Sequence, residues 1–185
     1  MKPTTALILS LLLAGLVVVI VLVGLNRPAD EPEAADEAEP PRALFAGRLG
    51  EATRLTVRPD EGPALAFEKT DGAWRVVEPF PARAADGPVS EVINALREPT
   101  YVRKWEPDDP AAASDEDAGL APPRWTVTVR DAAGDERTLQ VGRPTPTQPD
   151  SRTYVRPAGD EATYVVAVNF RALLQREPQA WRTRD

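Results

Sequence analysis

The chain has 185 residues and a net charge of −7, and it contains no histidine and no cysteine. Those absences exclude a Ser-His-Asp triad, a cysteine nucleophile, a Cys/His zinc site and disulfide staples, so any folded part must rest on a packed core. Asp+Glu number 29 against Lys+Arg 22, and such a balance does not supply the basic face that nucleic-acid binding needs.

The first feature along the chain is an uninterrupted apolar run, Ala6 to Leu25, whose only polar side chain is Ser10. About 20 helical residues at ~1.5 Å each span the ~30 Å hydrocarbon core of a bilayer. A cleaved signal peptide would have an apolar core of ~7–15 residues and a small-x-small exit. The exit here, Val23-Gly24-Leu25-Asn26-Arg27, has no such site. Residues 1–25 therefore read as an uncleaved transmembrane anchor. Lys2 and the α-amino group at one end, against Arg27 at the other, bias the N-terminus inward. The expected location is the inner (cytoplasmic) membrane, single-pass, with the C-terminal domain extracytoplasmic.

Residues 26–43 follow as an acidic, proline-rich linker. Asp30, Glu31, Glu33, Asp36, Glu37 and Glu39 alternate with Pro28, Pro32, Pro40 and Pro41. Such a stretch buries too little apolar surface to offset its ordering entropy, and like charges and proline extend it.

Residues 44–185 suffice for one compact domain. Thr53–Arg58 alternates as a strand, and Pro59–Pro63 is a turn. Ala64–Glu68 alternates again, with Leu65 and Phe67 on one face. Asp71-Gly72 is a hairpin turn, because glycine takes the positive φ such turns need. Trp74 and Val76 continue a third strand, which Pro79 and Pro81 end. Asp86 suits an N-cap and Pro88 a first turn. Val89, Val92, Ile93 and Leu96 then fall on one helical face, which Glu98-Pro99 closes. Thr100–Trp105 is extended.

A second run of elements echoes the first. Arg124–Arg130 and Thr138–Val141 form a strand pair about Asp131–Asp135, closed by Gly142. Thr153–Arg156 and Ala162–Val166 form a hairpin about Ala158-Gly159-Asp160. Asn169 caps a short helix that turns Phe170, Leu173 and Leu174 inward, and Trp181 seals the end. The fold class is α+β: a mostly antiparallel β domain of two approximate β-β-β-α halves, 44–105 and 119–185. Gly119-Leu120-Ala121-Pro122-Pro123 reads as the joint between them, its prolines forcing extended chain into the Trp125 strand.

Three strings occur in order: Asp71-Gly72-Ala73-Trp74 running to Pro79, Gly119-Leu120-Ala121-Pro122-Pro123, and Leu139-Gln140-Val141-Gly142 followed by Thr153-Tyr154-Val155. Together they resemble the bacterial domain-of-unknown-function family 4340 (DUF4340) over about residues 49–185. Members of that family carry an aromatic before the Gly-Leu pair, where this chain has Ala118, a departure expected to cost a core contact. The resemblance carries over no catalytic residue. Some members are encoded beside ABC-type transporter parts of the gliding-motility sort, which implies an envelope partner.

Trp74 and Trp125 lie in alternating strands and read as core. Tyr101 and Trp105 precede an acidic loop and are the candidate partner-binding surface. Asp108, Asp109, Asp115, Glu116 and Asp117 lack the ligand pattern of an EF-hand and read as solvated loop, so no metal is assigned. Glu78, or Glu68 with Asp71, would need a fixed separation across a cleft to act as a catalytic pair, and reads as surface charge. No catalytic residue and no cofactor is expected. The function expected is a non-enzymatic, membrane-anchored module that binds another envelope component, with the linker setting its reach. The alternative is a domain that binds a small ligand or glycan in a cleft between its halves, and an enzyme ranks third.

Overall fold

A computed structural model describes residues 42–183. The expected transmembrane anchor and most of the expected acidic linker lie outside these residues. Among the described residues no helix is long and apolar enough to cross a membrane.

Among the described residues ten strands form one sheet, and every pairing in it is antiparallel. They are β1 (Arg42–Ala43), β2 (Ala52–Pro59), β3 (Leu65–Thr70), β4 (Ala73–Glu78), β5 (Ala82–Arg83), β6 (Thr100–Trp105), β7 (Trp125–Asp131), β8 (Glu136–Pro144), β9 (Thr153–Pro157) and β10 (Thr163–Val166). The order across the sheet is β1-β6-β10-β9-β8-β7-β2-β3-β4-β5. Two meanders, β2–β5 and β7–β10, therefore meet along the β2–β7 ladder. Each has four strands rather than the three of a β-β-β-α unit: the two-residue β5 is added in the first, and in the second the expected Ala162–Val166 segment pairs as β10. The ladder runs from Ala52↔Asp131 to Pro59↔Trp125, so the meanders join as continuous sheet instead of opening a cleft.

Helices α1 (Asp86–Arg97) and α3 (Phe170–Leu174) and a 3₁₀ helix (Pro178–Trp181) cover one face. The apolar stripe of α1, Val89, Val92, Ile93 and Leu96, is buried in the core with Leu55, Phe67, Val127, Leu139, Val155, Phe170 and Trp181. Trp181 tilts against Phe67 at 5.3 Å between ring centroids. Trp74 is buried as expected, whereas Trp125 is half-buried and packs on the core from its rim. The Asp71-Gly72 loop has φ of 52° and 79°, the two positive values of a type I′ turn, and Thr70↔Ala73 closes it.

Local chemistry corrects three expectations. Helix α1 starts at Asp86 itself, and its N-cap, Ala85, makes no side-chain bond. Gly142 does not close β8, which runs to Pro144. A Cβ at Gly142 would stand 2.1 Å from the Ala118 carbonyl oxygen, so glycine is there for close approach of a second segment. Arg42 and Ala43, assigned to the linker, pair with Tyr101 and Thr100 on the outer edge of β6. Leu44, at the start of the domain, is buried. The opposite edge is also covered: Ala84 bridges Arg182, and the Thr183 amide donates to the Arg83 carbonyl at 3.1 Å.

Two buried charged residues hold distant segments. Arg137 donates from Nη1 to the Arg97 carbonyl at 2.6 Å and from Nη2 to the Gly47 carbonyl at 2.7 Å. It thereby caps the C-terminus of α1, where a cation complements the helix dipole. Asp131 accepts from the Gly50 amide through Oδ2 and from the Ala133 and Asp135 amides through Oδ1, each at 2.9 Å.

Candidate functional site

The face of the sheet away from α1 is covered at one end by residues 106–123, which include the four-residue helix α2 (Asp115–Ala118). Ser114 caps α2, its Oγ accepting from the Asp117 amide at 3.1 Å. Ala118, Leu120 and Val165 are buried there, outside the main core cluster. Ala118, which stands where an aromatic was expected, is fully buried with its carbonyl against Gly142. What ties the segment down is an ion pair: Arg156 Nη1 meets Asp115 Oδ2 at 2.9 Å and Nη2 meets Oδ1 at 2.5 Å. Nη2 also donates to Thr163 Oγ1 at 2.9 Å. Arg156 holds the Asp115 carboxyl below its usual range, and Asp115 in turn raises Arg156.

Beside this pair is a hollow of about 520 Å³. Glu106, Asp109, Ser114, Asp115, Arg156, Asp160, Glu161 and Thr163 supply its polar lining. At its rim, Asp160 accepts from the Ala162 amide at 3.0 Å and from the Tyr164 hydroxyl at 2.8 Å. The amide bond holds the Asp160 carboxyl low. Burial, followed by the Asp160 bond, pushes the Tyr164 phenol up to about 12. Lys104 donates to Glu106 at 2.6 Å, which raises the lysine. Asp109 caps its own turn by accepting from the Ala111 amide at 2.9 Å. Among the described residues no group of three acidic side chains is arranged to hold a metal ion.

Tyr101 and Trp105 share β6, but the sheet does not bring them together. Trp105 pairs with Thr163, Lys104 with Tyr164 and Arg103 with Val165, whereas Tyr101 pairs with Val166. Val102 is thus an extra residue, a bulge that reverses the alternation of sides. Tyr101 consequently lies on the core face, edge-on to Tyr164 at 5.0 Å between centroids. Trp105 lies on the other face, tilted against Tyr154 at 6.1 Å, with the Arg103 guanidinium 5.4 Å from its ring centroid. Both aromatics are half-buried. Burial raises the Tyr154 phenol.

Arg156 and Thr163 went unremarked in the sequence because nothing local marks them. Arg156 is one of many arginines in β-rich sequence, and its partner is 41 residues away. Asp115 lay within the acidic loop, where its role depends on that distant arginine. The remaining carboxylates named from sequence are spread over the surface: Glu68 bonds Arg54 at 2.8 Å, and Glu78 is exposed at the end of β4.

The model of one protein family, a domain of unknown function (DUF4340), matches residues 74–185. The matched stretch starts in β4 and takes in the hollow, Trp105, Asp115 and Arg156. No curated protein and no solved structure matches the chain.

Proposed function

We propose, from the premise that the chain belongs to the DUF4340 family, that it is a membrane-anchored extracytoplasmic binding module. It acts without catalysis, docking another envelope component such as an ABC-transporter-associated complex at the face that carries Trp105, Tyr154 and the adjoining hollow. One observation carries this. Around the hollow Asp115 is bonded to Arg156, Asp160 to Tyr164 and Lys104 to Glu106, and Trp105 packs on Tyr154 beside Arg103. The three bonded pairs hold one another's side chains in place, as the rim of a recognition surface does, and the aromatic pair with Arg103 supplies contact area of the kind enriched at interfaces.

A photo-crosslinking amino acid at Glu161 or Trp105, read in native membranes, tests this. The expected result is an adduct of one defined mass from both positions and none from Ala133, in the β7–β8 turn. Absence of an adduct from a folded, membrane-bound chain would overturn it. A second reading, a small polar ligand or glycan, is favoured by the hollow's volume, which lies within the ~300–1,000 Å³ of ligand sites. Its location would be the hollow and not the junction of the meanders.

A further inference from the structure

The β4–β5 hairpin carries two features that the chain itself leaves unresolved. Phe80, in the connection between these strands, is 68% exposed, the one exposed large hydrophobic side chain among the described residues. Pro79 and Pro81 on either side fix φ and keep this tip from folding back. Behind the tip, Arg75 and Arg83 are direct cross-strand partners. Like charges placed opposite one another destabilise a strand pair. Both side chains are exposed, and neither has a carboxylate partner among the described residues. Glu68, next in the same row, is bonded to Arg54. Around the edge, the side chain of Arg182 is likewise exposed and unpaired, opposite Ala84. The acidic groups at this end are Glu78 and Glu61, both exposed, and Asp60, which Arg124 engages at 3.4 Å.

We infer that this hairpin is a membrane-surface contact, with Phe80 entering the headgroup–acyl boundary of an anionic bilayer and Arg75 and Arg83 meeting lipid phosphates. An aromatic tip with basic residues set back from it is the pattern of interfacial binding, in which apolar burial and attraction to anionic lipid add. Phe80 lies three residues from Arg83, the cross-strand partner of Arg75, about 10 Å at strand rise. That matches the ~5–10 Å by which such groups enter the interface while their charges stay at phosphate level. An anionic surface also removes the Arg75–Arg83 repulsion, which a neutral apolar partner would leave in place. This inference rests on the reading of the chain as membrane-anchored, and it adds which edge of the sheet faces the lipid.

The chain has no cysteine, so Phe80→Cys gives a single site for an environment-sensitive fluorophore on the full chain. The labelled protein is reconstituted in vesicles of phosphatidylcholine alone or of equal parts phosphatidylcholine and phosphatidylglycerol. The expected result is bluer, brighter emission in the anionic vesicles only, reversed by high salt and absent from a label at Ala133→Cys. Arg75→Gln and Arg83→Gln should each lower the ratio of inserted to free tip about fivefold, the equivalent of ~1 kcal/mol per basic residue at an anionic surface. Equal emission in both vesicle types, or no response to the arginine variants, overturns the inference. A shift seen in native membranes but in neither lipid vesicle overturns it in favour of a protein partner at this edge. Flotation reads the anchor separately: a chain that does not float with phosphatidylcholine vesicles overturns the anchor, while the tip emission is still read on the anionic ones.

Discussion

Asp115 and Arg156 are joined by two parallel hydrogen bonds, 2.9 and 2.5 Å, that fasten the 106–123 segment to the second meander. The Arg156 side chain is 15% exposed and that of Asp115 is 47% exposed, so solvent screens half of the pair. The planar fork of arginine matches a carboxylate in a way lysine does not. Asp115→Asn should therefore lower global stability by only about 1 kcal/mol but loosen the segment. Hydrogen exchange is expected to accelerate over residues 106–118 and to stay unchanged in β2, β3 and α1. Uniform acceleration across the sheet would show that the pair supports the whole fold and not the hollow alone.

Arg137 performs a different task from inside the core face. Its guanidinium serves the end of α1 and the loop at Gly47 together, and its cationic face lies over Phe45, 5.2 Å from the ring centroid. Arg137→Met keeps the aliphatic bulk and removes the donor from the Arg97 and Gly47 carbonyls. Loss of these charged hydrogen bonds from a buried arginine should cost about 1.5–3 kcal/mol, measured by urea denaturation. Arg137→Lys reaches only one of the two carbonyl groups and should fall between. A methionine variant as stable as the parent would show that water replaces the guanidinium without penalty.

Gly142 and Ala118 mark the closest approach of the covering segment to the sheet. With a Cβ 2.1 Å from a backbone oxygen, something must move, and β8 is held on both sides by β7 and β9. Gly142→Ala is thus expected to lift α2 away, costing about 1–3 kcal/mol as overpacking does. The lifted segment should become the first site of limited proteolysis, between residues 106 and 123. Protection equal to the parent's would mean that α2 adjusts in place.

The parts of the fold legible in the sequence are those written in short windows. The Asp71-Gly72 turn needs only two residues with positive φ, and the α1 stripe needs only a period of 3.6. Asn169 accepts from the Ala172 amide at 3.0 Å as a cap three residues ahead should. What stayed hidden depends on partners far along the chain. Arg42 and Ala43 look like spacer until β6 offers them an open edge. The bulge at Val102, which parts Tyr101 from Trp105, exists only because β10 sets the register on its neighbour. Gly142 reads as a strand end because the reason for a missing side chain, the Ala118 carbonyl, comes from another segment. Beside the hollow, Trp105 was legible as an aromatic ahead of the acidic loop, and Arg156 could have been found only through its pairing with Asp115.

Asp131 ties β7 to the loop ahead of β2, and its carboxylate is the part that titrates. The Gly50 amide, with those of Asp135, Ala133 and Gly134, holds its carboxyl below the ordinary range for aspartate. A carboxyl depressed in the fold adds stability that is fully present above its unfolded value, ~3.9, and is lost as pH falls through the lower folded value. Asp131→Asn should lower the melting temperature at neutral pH, since an amide NH₂ cannot accept from both amide sides. It should also flatten the loss of stability below about pH 4. Melting curves at neutral and acid pH, compared between parent and variant, check both. Parallel acid profiles would assign the acid sensitivity to other carboxyls.

Tyr164 provides the matching observation at high pH. Its hydroxyl donates to Asp160 at 2.8 Å, and burial and that carboxylate both oppose the phenolate, pushing the group up to about 12. A tyrosine raised in this way contributes stability that is fully present below its unfolded value, about 10, and is lost as pH rises through about 12. The chain has three tyrosines, so ultraviolet titration of the folded protein should show a late phenolate phase. Tyr164→Phe should abolish that phase and cost about 1 kcal/mol at neutral pH, the worth of one buried hydrogen bond. The same variant frees one Asp160 oxygen toward the hollow, so any ligand or partner that offers a donor there should bind it no more weakly than the parent. A late phase that survives the substitution would place the slow-titrating phenol at Tyr154, whose burial raises it by a separate route.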